Sequence, residues 1–182
     1  MIYKQLNKSE LDLLKDIDRK EVVNEVYYYI DKKLKLVDEY YNIEEWNLKE
    51  LNEYIDRLIN IQKRAGKIYG AFDNGKIVGL VALESKLIGE KLDQLKLDML
   101  YISTNYRKQG IGKMLVNLVC KDAIKLGAKK LYISATPFKN TVDFYSALGA
   151  KITGEINKSL FELEPFDIHM ILDLENFIYK TS

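Results

Sequence analysis

The sequence predicts an α/β domain built on a mixed sheet, and three observations carry that prediction. From Lys67 to Ile102, apolar runs punctuated by glycines and an Asn-Gly pair follow one another as the strands of an antiparallel meander would. From Leu97 to Ala135, a strand, a glycine-bearing turn, a 3.6-period helix and a second strand follow in order, and two strands joined through a helix are expected to be parallel, with a right-handed crossover. Long helical patterns at Asn47 to Arg64 and Gly110 to Leu126 supply the helices.

Taken in order, Ile2 to Leu6 reads as a first strand, and Ser9 as the N-cap of a short helix through Ile17 with Leu11, Leu14 and Ile17 on one face. The segment Ile17-Asp18-Arg19-Lys20-Glu21 is dense in charge, as a solvated loop would be. Val22 to Tyr41 carries both a helical and an alternating pattern. Its tyrosines and β-branched residues favour a hairpin turning at Asp31-Lys32-Lys33, with a second strand from Leu34 to Tyr41. Asn47 caps a helix to about Arg64, with Leu48, Leu51, Ile55, Leu58 and Ile59 at helical spacing and Gly66 marking its end. Lys67 to Phe72, the turn Asp73-Asn74-Gly75 and Lys76 to Leu83 form a hairpin, because Asn-Gly supplies the positive φ angles of a tight turn. A third strand spans Gln94 to Ile102. After the helix that stops at Gly127, Lys129 to Ala135 is a strand and Lys139 to Leu148 a helix closed by Gly149; Ala150 to Ile156 and Phe166 to Leu174 are the last strands.

Composition narrows the function classes. The 182 residues fit one domain. With 28 basic and 27 acidic residues the net charge is +1, which lends no support to a nucleic-acid or membrane-surface partner. No apolar run approaches the ~20 residues of a membrane span. The charged N-terminus, MIYKQLNKSE, lacks the apolar core of a signal peptide. The single cysteine, Cys120, excludes an internal disulfide and a cysteine metal cluster, so a cytoplasmic protein is expected. His169 is the only histidine and has no spaced partners for a metal site or a catalytic triad; it reads as structural.

Chemistry concentrates at Arg107-Lys108-Gln109-Gly110-Ile111-Gly112, where a strand ends and a helix begins. The first N–H groups of a helix lack intrahelical partners and carry the positive end of its dipole, and glycine lets a phosphate come close. A P-loop is excluded because Gly112-Lys113 is followed by Met114, and a Rossmann fingerprint because position 115 is Leu115. Arg-x-x-Gly-x-Gly entering a long helix resembles the pyrophosphate-binding motif of the GNAT superfamily of acyl-CoA-dependent N-acyltransferases. About thirty residues on, Asn140-Thr141-Val142-Asp143-Phe144-Tyr145-Ser146-Ala147-Leu148-Gly149-Ala150 resembles the second signature of that superfamily. The resemblance covers Leu97 to Leu174. It departs at Lys108, where glycine is usual, and at Ala150, where many relatives have an aromatic residue.

The resemblance implies a GNAT-type fold over residues 1–182, with helices on both faces and a sheet splayed between the strands before and after the CoA-binding helix. The acyl-CoA core would span 94–174 and the acceptor side 1–93. It implies acetyl-CoA as co-substrate, no metal, and direct acetyl transfer to the primary amine of a small molecule or peptide; a homodimer is a candidate assembly. The N–H groups of Gln109, Gly110, Ile111, Gly112 and Lys113 would hold the pyrophosphate, with Arg107 and Lys108 as nearby charge. Leu100, Tyr101 and Ile102 would offer a backbone edge to the pantetheine arm, and Asn140 a hydrogen bond to it. Tyr145, whose phenol has an unperturbed pKa near ~10, is the candidate proton donor to the leaving thiolate. For the base, Asp98, given the period-2 parity of Lys96 and Leu100, competes with Glu84 and with a water chain. In a subset of relatives a segment similar to Asp18, Arg19 and Glu21 faces the acceptor, and Tyr27, Tyr28, Tyr29, Tyr40, Tyr41 and Trp46 form a candidate aromatic wall for it. An acyl-CoA-binding module without turnover, and a nucleotide-binding domain on the same helix terminus, are the alternatives.

Overall fold

The computed structural model describes residues 1–175. Strand β1 (Ile2–Gln5) is followed by a 3₁₀ segment, Lys8–Asp16. Asn7, not Ser9, is its cap: the Asn7 carboxamide accepts from the Ser9 N–H and the Glu10 carboxylate accepts from the Asn7 N–H, a reciprocal box that needs Asx three residues before Glu. Strands β2 (Glu21–Ile30) and β3 (Lys33–Ile43) form a separate two-stranded hairpin. Its turn has Asp31 at φ 53° and Lys32 at φ 60°, the pair of left-handed residues that matches the twist of the flanking strands.

Helix α1 (Leu48–Lys63), capped by Asn47, leads to β4 (Lys67–Asp73) and β5 (Lys76–Leu83), joined at Asn74-Gly75 as expected. Then follow β6 (Gln94–Ile102), α2 (Ile111–Lys125), β7 (Lys130–Ala135), α3 (Lys139–Leu148), β8 (Lys151–Ile152), α4 (Lys158–Leu163) and β9 (Ile168–Asp173). The strand expected over 150–156 is therefore only two residues long, and α4 occupies a stretch that carried no helix expectation. The main sheet runs β1-β4-β5-β6-β7-β9-β8. Among its pairs only β6 and β7 are parallel, so the mixed α/β sheet read from the sequence is the one observed.

Both faces of this sheet are covered. Leu115, Val116, Val119 and Ala123 of α2 pack with Val81, Leu95, Leu97, Ile133 and Met170 on one face. On the other, Leu11 and Leu14 join Leu58 and Ile61 of α1 against Ile68, Leu80, Ala82 and Met99. β5 lies between the two layers, which is why Ile77 to Leu83 reads as a continuous apolar run rather than an alternation. Among the described residues, no helix is long and apolar enough to cross a membrane.

The end of α1 differs from its sequence reading in an instructive way. The left-handed residue is Ala65, at φ 64°, whose N–H bonds the Gln62 carbonyl while the Gly66 N–H bonds that of Ile61. Gly66 is required for a different reason: a Cβ there would meet the Leu83 carbonyl oxygen at 2.6 Å. Ala65→Gly is expected to stabilise the protein by about 0.5–1 kcal/mol, the left-handed penalty less the added chain entropy, whereas Gly66→Ala is expected to destabilise it by about 1–3 kcal/mol. Denaturant unfolding of the two variants checks both signs.

Candidate functional site

The site begins where β6 and β7 part. Their parallel pairing covers only Gln94↔Lys130 to Leu97↔Ile133, while β6 runs on to Ile102 held by β5 alone, through Val81↔Leu100, Leu80↔Tyr101 and Gly79↔Ile102. Beyond Leu97 the β7-facing edge of β6 is thus unpaired in the sheet and a wedge opens. Asp98 sits at its apex as an extra residue: Leu83 opposes Leu97 and Ala82 opposes Met99, so Asp98 forms a bulge. The bulge reverses the alternation. Leu95 and Leu97 pack on the α2 face, but beyond Asp98 it is Leu100 and Ile102 that face α2, while Met99 and Tyr101 join the α1 face. Asp98 therefore shares a face with Lys96 and not with Leu100, which corrects the parity expected from the sequence.

On the α2 face the wedge opens into a groove of about 700 Å³ between the end of β6, the start of α2 and α3. Of the residues singled out in the sequence, Leu100, Tyr101, Ile102, Arg107, Lys108, Gly110, Gly112, Lys113, Asn140 and Tyr145 line it together. Gln109 and Ile111 do not: the Gln109 carboxamide donates to the Asn105 carbonyl and Ile111 is buried in the core. Gly110 stands at φ 82° and starts α2, whose first intrahelical donor is Met114; by helix geometry the N–H groups of Ile111, Gly112 and Lys113 lack partners within the helix. A Cβ on Gly112 would approach the Phe144 ring to 3.1 Å, so glycine there lets α2 and α3 close. Lys108 has φ 60°, which explains why glycine is usual at this motif position. Lys108 and Lys113 are exposed and have no ion pair among the described residues.

Three side chains behave differently from their expected parts. Arg107 turns inward: its Nε donates to the Ile102 carbonyl (3.1 Å), one terminal nitrogen to the Arg19 carbonyl (3.2 Å), and the other pairs with Glu21 (2.9 Å). Asn140 lines the groove, yet its amide donates to the same Glu21 carboxylate. Glu21 and its neighbours thus attach to the groove side: Ser103 Oγ accepts from the Asp18 N–H, and the Thr104 N–H donates to the Asp18 carbonyl (2.9 Å). Tyr145 is only 5% exposed, packs edge-on to Phe144, and its hydroxyl has no hydrogen bond among the described residues. Burial pushes its phenol well above the ordinary value, so it is a protonated donor at neutral pH.

Thr141, Phe144 and Leu148, which belong to the second signature without an expected site role of their own, also line the groove and recur at helical spacing on α3 with Asn140 and Tyr145. Tyr106, at the opposite wall, had no such signal.

The α1 face holds a buried charge cluster. Both Asp98 oxygens are taken, by Arg57 at 2.6 and 2.7 Å and by Lys96 at 3.2 Å; Glu164 lies 3.8 Å from Arg57 and 3.7 Å from Lys96. Glu84, the other candidate base, pairs with Arg64. The tyrosines and Trp46 do not form one wall. Trp46 packs edge-on to Tyr54 and Tyr101, with the Arg19 guanidinium 4.3 Å above it, whereas Tyr41 meets Phe138 and Tyr27 bonds Asp143 of α3. Arg19 itself is held bidentately by Glu50. His169 Nδ1 is bonded to the Tyr132 hydroxyl, which accepts from the Asn157 N–H, so the tyrosine donates and the proton of the neutral ring sits on Nε2. Burial drives the Cys120 thiol up to about 12, leaving it unreactive. No group of three or more potential metal ligands gathers among the described residues.

A sequence model of the acetyltransferase (GNAT) family matches residues 30–150. Among solved structures, nourseothricin acetyltransferase superposes with a TM-score of 0.72 at 14% identity, over 95% of this chain and 98% of that one. A protein described as a streptothricin acetyltransferase from Bacillus anthracis str. Ames, in complex with acetyl coenzyme A, gives 0.68 at 20% identity, over 94% and 97%. Aminoglycoside 6′-acetyltransferase type Ii gives 0.63 at 18%, over 96% and 97%. At these identities the likeness is one of fold. No curated protein sequence matches.

Removing the Arg107 guanidinium leaves the half-buried Glu21 without its cation and the Ile102 and Arg19 carbonyls without a donor. Arg107→Ala is expected to lower stability by about 1–3 kcal/mol and to raise hydrogen exchange selectively in residues 17–21 and 102–106. Exchange mass spectrometry reads the second effect.

Proposed function

Because the chain belongs to the acetyltransferase (GNAT) family, we propose that it transfers an acyl group, acetyl above all, from acyl-coenzyme A to a primary amine by direct attack in a ternary complex. The observation that carries this reading is the continuity of the wedge with the groove. A strand edge at Leu100 to Ile102 with no neighbouring strand leads to the N-terminus of α2, where Gly110, Gly112 and two lysines without an ion pair among the described residues meet. The backbone edge suits the amide-bearing pantetheine arm, which can bond to it as a further strand would. The N–H groups of Ile111 to Lys113, with Lys108 and Lys113, suit the pyrophosphate. Arg107 serves this site as a tether for its loop, since its donors are spent within the protein.

In the transfer itself Tyr145 gives its proton to the departing thiolate. Its burial in the groove wall keeps that proton in place until charge develops on sulfur. The amine approaches from the α1 face, because α2, α3 and the donor fill the other. Acetylated antibiotics appear in the names of the matched structures, so amine-bearing antibiotics lead the acceptor panel, followed by polyamines and peptide N-termini.

Calorimetric titration is expected to show micromolar binding of acetyl-CoA and none of ATP or NAD. Gly112→Glu is expected to abolish that binding, since it sets bulk and negative charge against Phe144 and the helix terminus; wild-type affinity in this variant would remove the groove from the mechanism. Tyr145→Phe is expected to bind acetyl-CoA normally and to turn over about a hundredfold more slowly, measured as thiol release with the amine panel. An undiminished rate would exclude Tyr145 as the acid. Tight binding with no thiol release from any amine would favour a module that senses acyl-CoA without turnover.

A further inference from the structure

We propose that Asp167 is the carboxylate that takes the proton from the attacking amine, an assignment that rests on the acyl-transfer reading above. Asp167 immediately precedes β9, whose first residue, Ile168, pairs with Ala135 at the end of β7. β9 lies on the edge of β7 away from the wedge, so Asp167 approaches from across β7: its N–H donates to the Glu164 carbonyl (3.2 Å), and the Glu164 carboxylate lies 3.8 Å from Arg57 and 3.7 Å from Lys96, the two cations that hold Asp98 at the apex of the wedge. Asp167 faces the charge cluster of the α1 side, under the influence of Glu164 just after α4, Lys96 from β6 and Arg57 from α1.

A base must have a free lone pair within reach of solvent-borne substrate. Asp98 is out of that reach, its side chain being only 3% exposed beneath Arg57 and Lys96. Glu164 is shared between the same two cations, and Glu84 is paired with Arg64. The Asp167 carboxylate has neither a hydrogen bond nor an ion pair among the described residues, and its side is half-buried rather than sealed. Burial and the negative Glu164 push it up to about 6, against a smaller opposite pull from Lys96 and Arg57. Such a group is ionised at pH 7.5 yet basic enough to accept a proton.

The step balances simply. The neutral amine nitrogen forms a bond to the thioester carbonyl carbon and becomes cationic; Asp167 takes its N–H proton; the C–S bond breaks and the sulfur receives a proton from Tyr145. Asp167 returns its proton to water, and Tyr145 is reprotonated from solvent. The products are the amide and free CoA thiol.

The test compares wild type, Asp167→Asn and Asp167→Glu with acetyl-CoA and the panel amine that the wild type acetylates fastest. Asp167→Asn is expected to lose about 10²–10⁴-fold in kcat/KM with unchanged acetyl-CoA affinity, and Asp167→Glu to recover part of the loss. The ratio of wild type to Asp167→Asn cancels the ionisation of the amine itself. It is expected to hold level above about pH 7 and to fall about tenfold per pH unit below about pH 6. His169, whose own value is lowered by burial, is the other group that could titrate there; its effect would appear equally in both enzymes and leave the ratio level, and a ratio level through this range overturns the assignment. An unchanged rate, or a loss confined to the KM of the amine, would overturn it too. Carbon-13 NMR of the aspartate carboxylates supplies a readout independent of turnover: Asp167 is expected to titrate near pH 6, and titration at the ordinary value overturns the proposal. A wild type that binds acetyl-CoA but acetylates no amine overturns the acyl-transfer reading itself; an active wild type with an unaffected Asn variant overturns only the role of Asp167.

Discussion

Everything in this molecule follows from the early end of one parallel strand pair. β6 and β7 share four residue pairs and then separate, so that beyond Leu97 the β7-facing edge of β6 has no strand beside it, and the Ile102 carbonyl is met by the Arg107 side chain instead. Unpaired backbone inside a protein is expensive unless something else satisfies it, so a sheet that parts in its middle needs both a means of parting and a use for the exposed edge. The means is the extra residue at Asp98. By opposing one residue of β5 with two of β6, it bends the strand and exchanges its faces, turning Leu100 and Ile102 toward α2. β6 tolerates this because β5 holds its other edge throughout and because apolar layers grip the sheet on both sides.

The segment from Ile17 to Glu21 joins the two faces that the wedge separates. Its carbonyls and the Glu21 carboxylate engage Thr104, Arg107 and Asn140 around the groove. Its Ile17 carbonyl accepts from the Trp46 indole, and Arg19 reaches Glu50 and stacks on Trp46 on the α1 face. A charge-dense stretch that composition alone assigns to solvent is thereby tied down by a mixture of neutral bonds and charge-assisted ones, the stronger being those of Glu21 with Arg107 and of Arg19 with Glu50. These five residues thereby contact both the groove loop and the aromatic cluster of Trp46, Tyr54 and Tyr101.

What the sequence made legible was local. Helical spacing located α1 and α2, Asn74-Gly75 located a hairpin, and two short signatures located the groove with most of its lining. What it hid was long-range or defined by a single register shift. A bulge leaves no mark in an alternating pattern, so Asp98 was placed on the face of Leu100. Ala65 adopts the left-handed turn beside a glycine that looked the obvious candidate, because Gly66 was needed against Leu83. Arg107 reads as charge near a phosphate, and its partners Arg19 and Glu21 are invisible to that reading because they lie more than eighty residues away in sequence. Asp167 carried no motif at all; only the mutual pairing of its neighbours leaves it free.

Lys108 shows how such a site is tuned. Glycine would adopt φ 60° without penalty, and a lysine held there costs about 1 kcal/mol. In a chain whose net charge is only +1, that residue supplies one of two cations at the head of α2 that have no ion pair among the described residues. Because Arg107 is tied to Glu21, its charge is already balanced and contributes little field to the groove. The backbone strain at Lys108 thus sits beside Gly110 with a positive charge that is not balanced by an ion pair among the described residues, whereas the Arg107 charge is committed to Glu21.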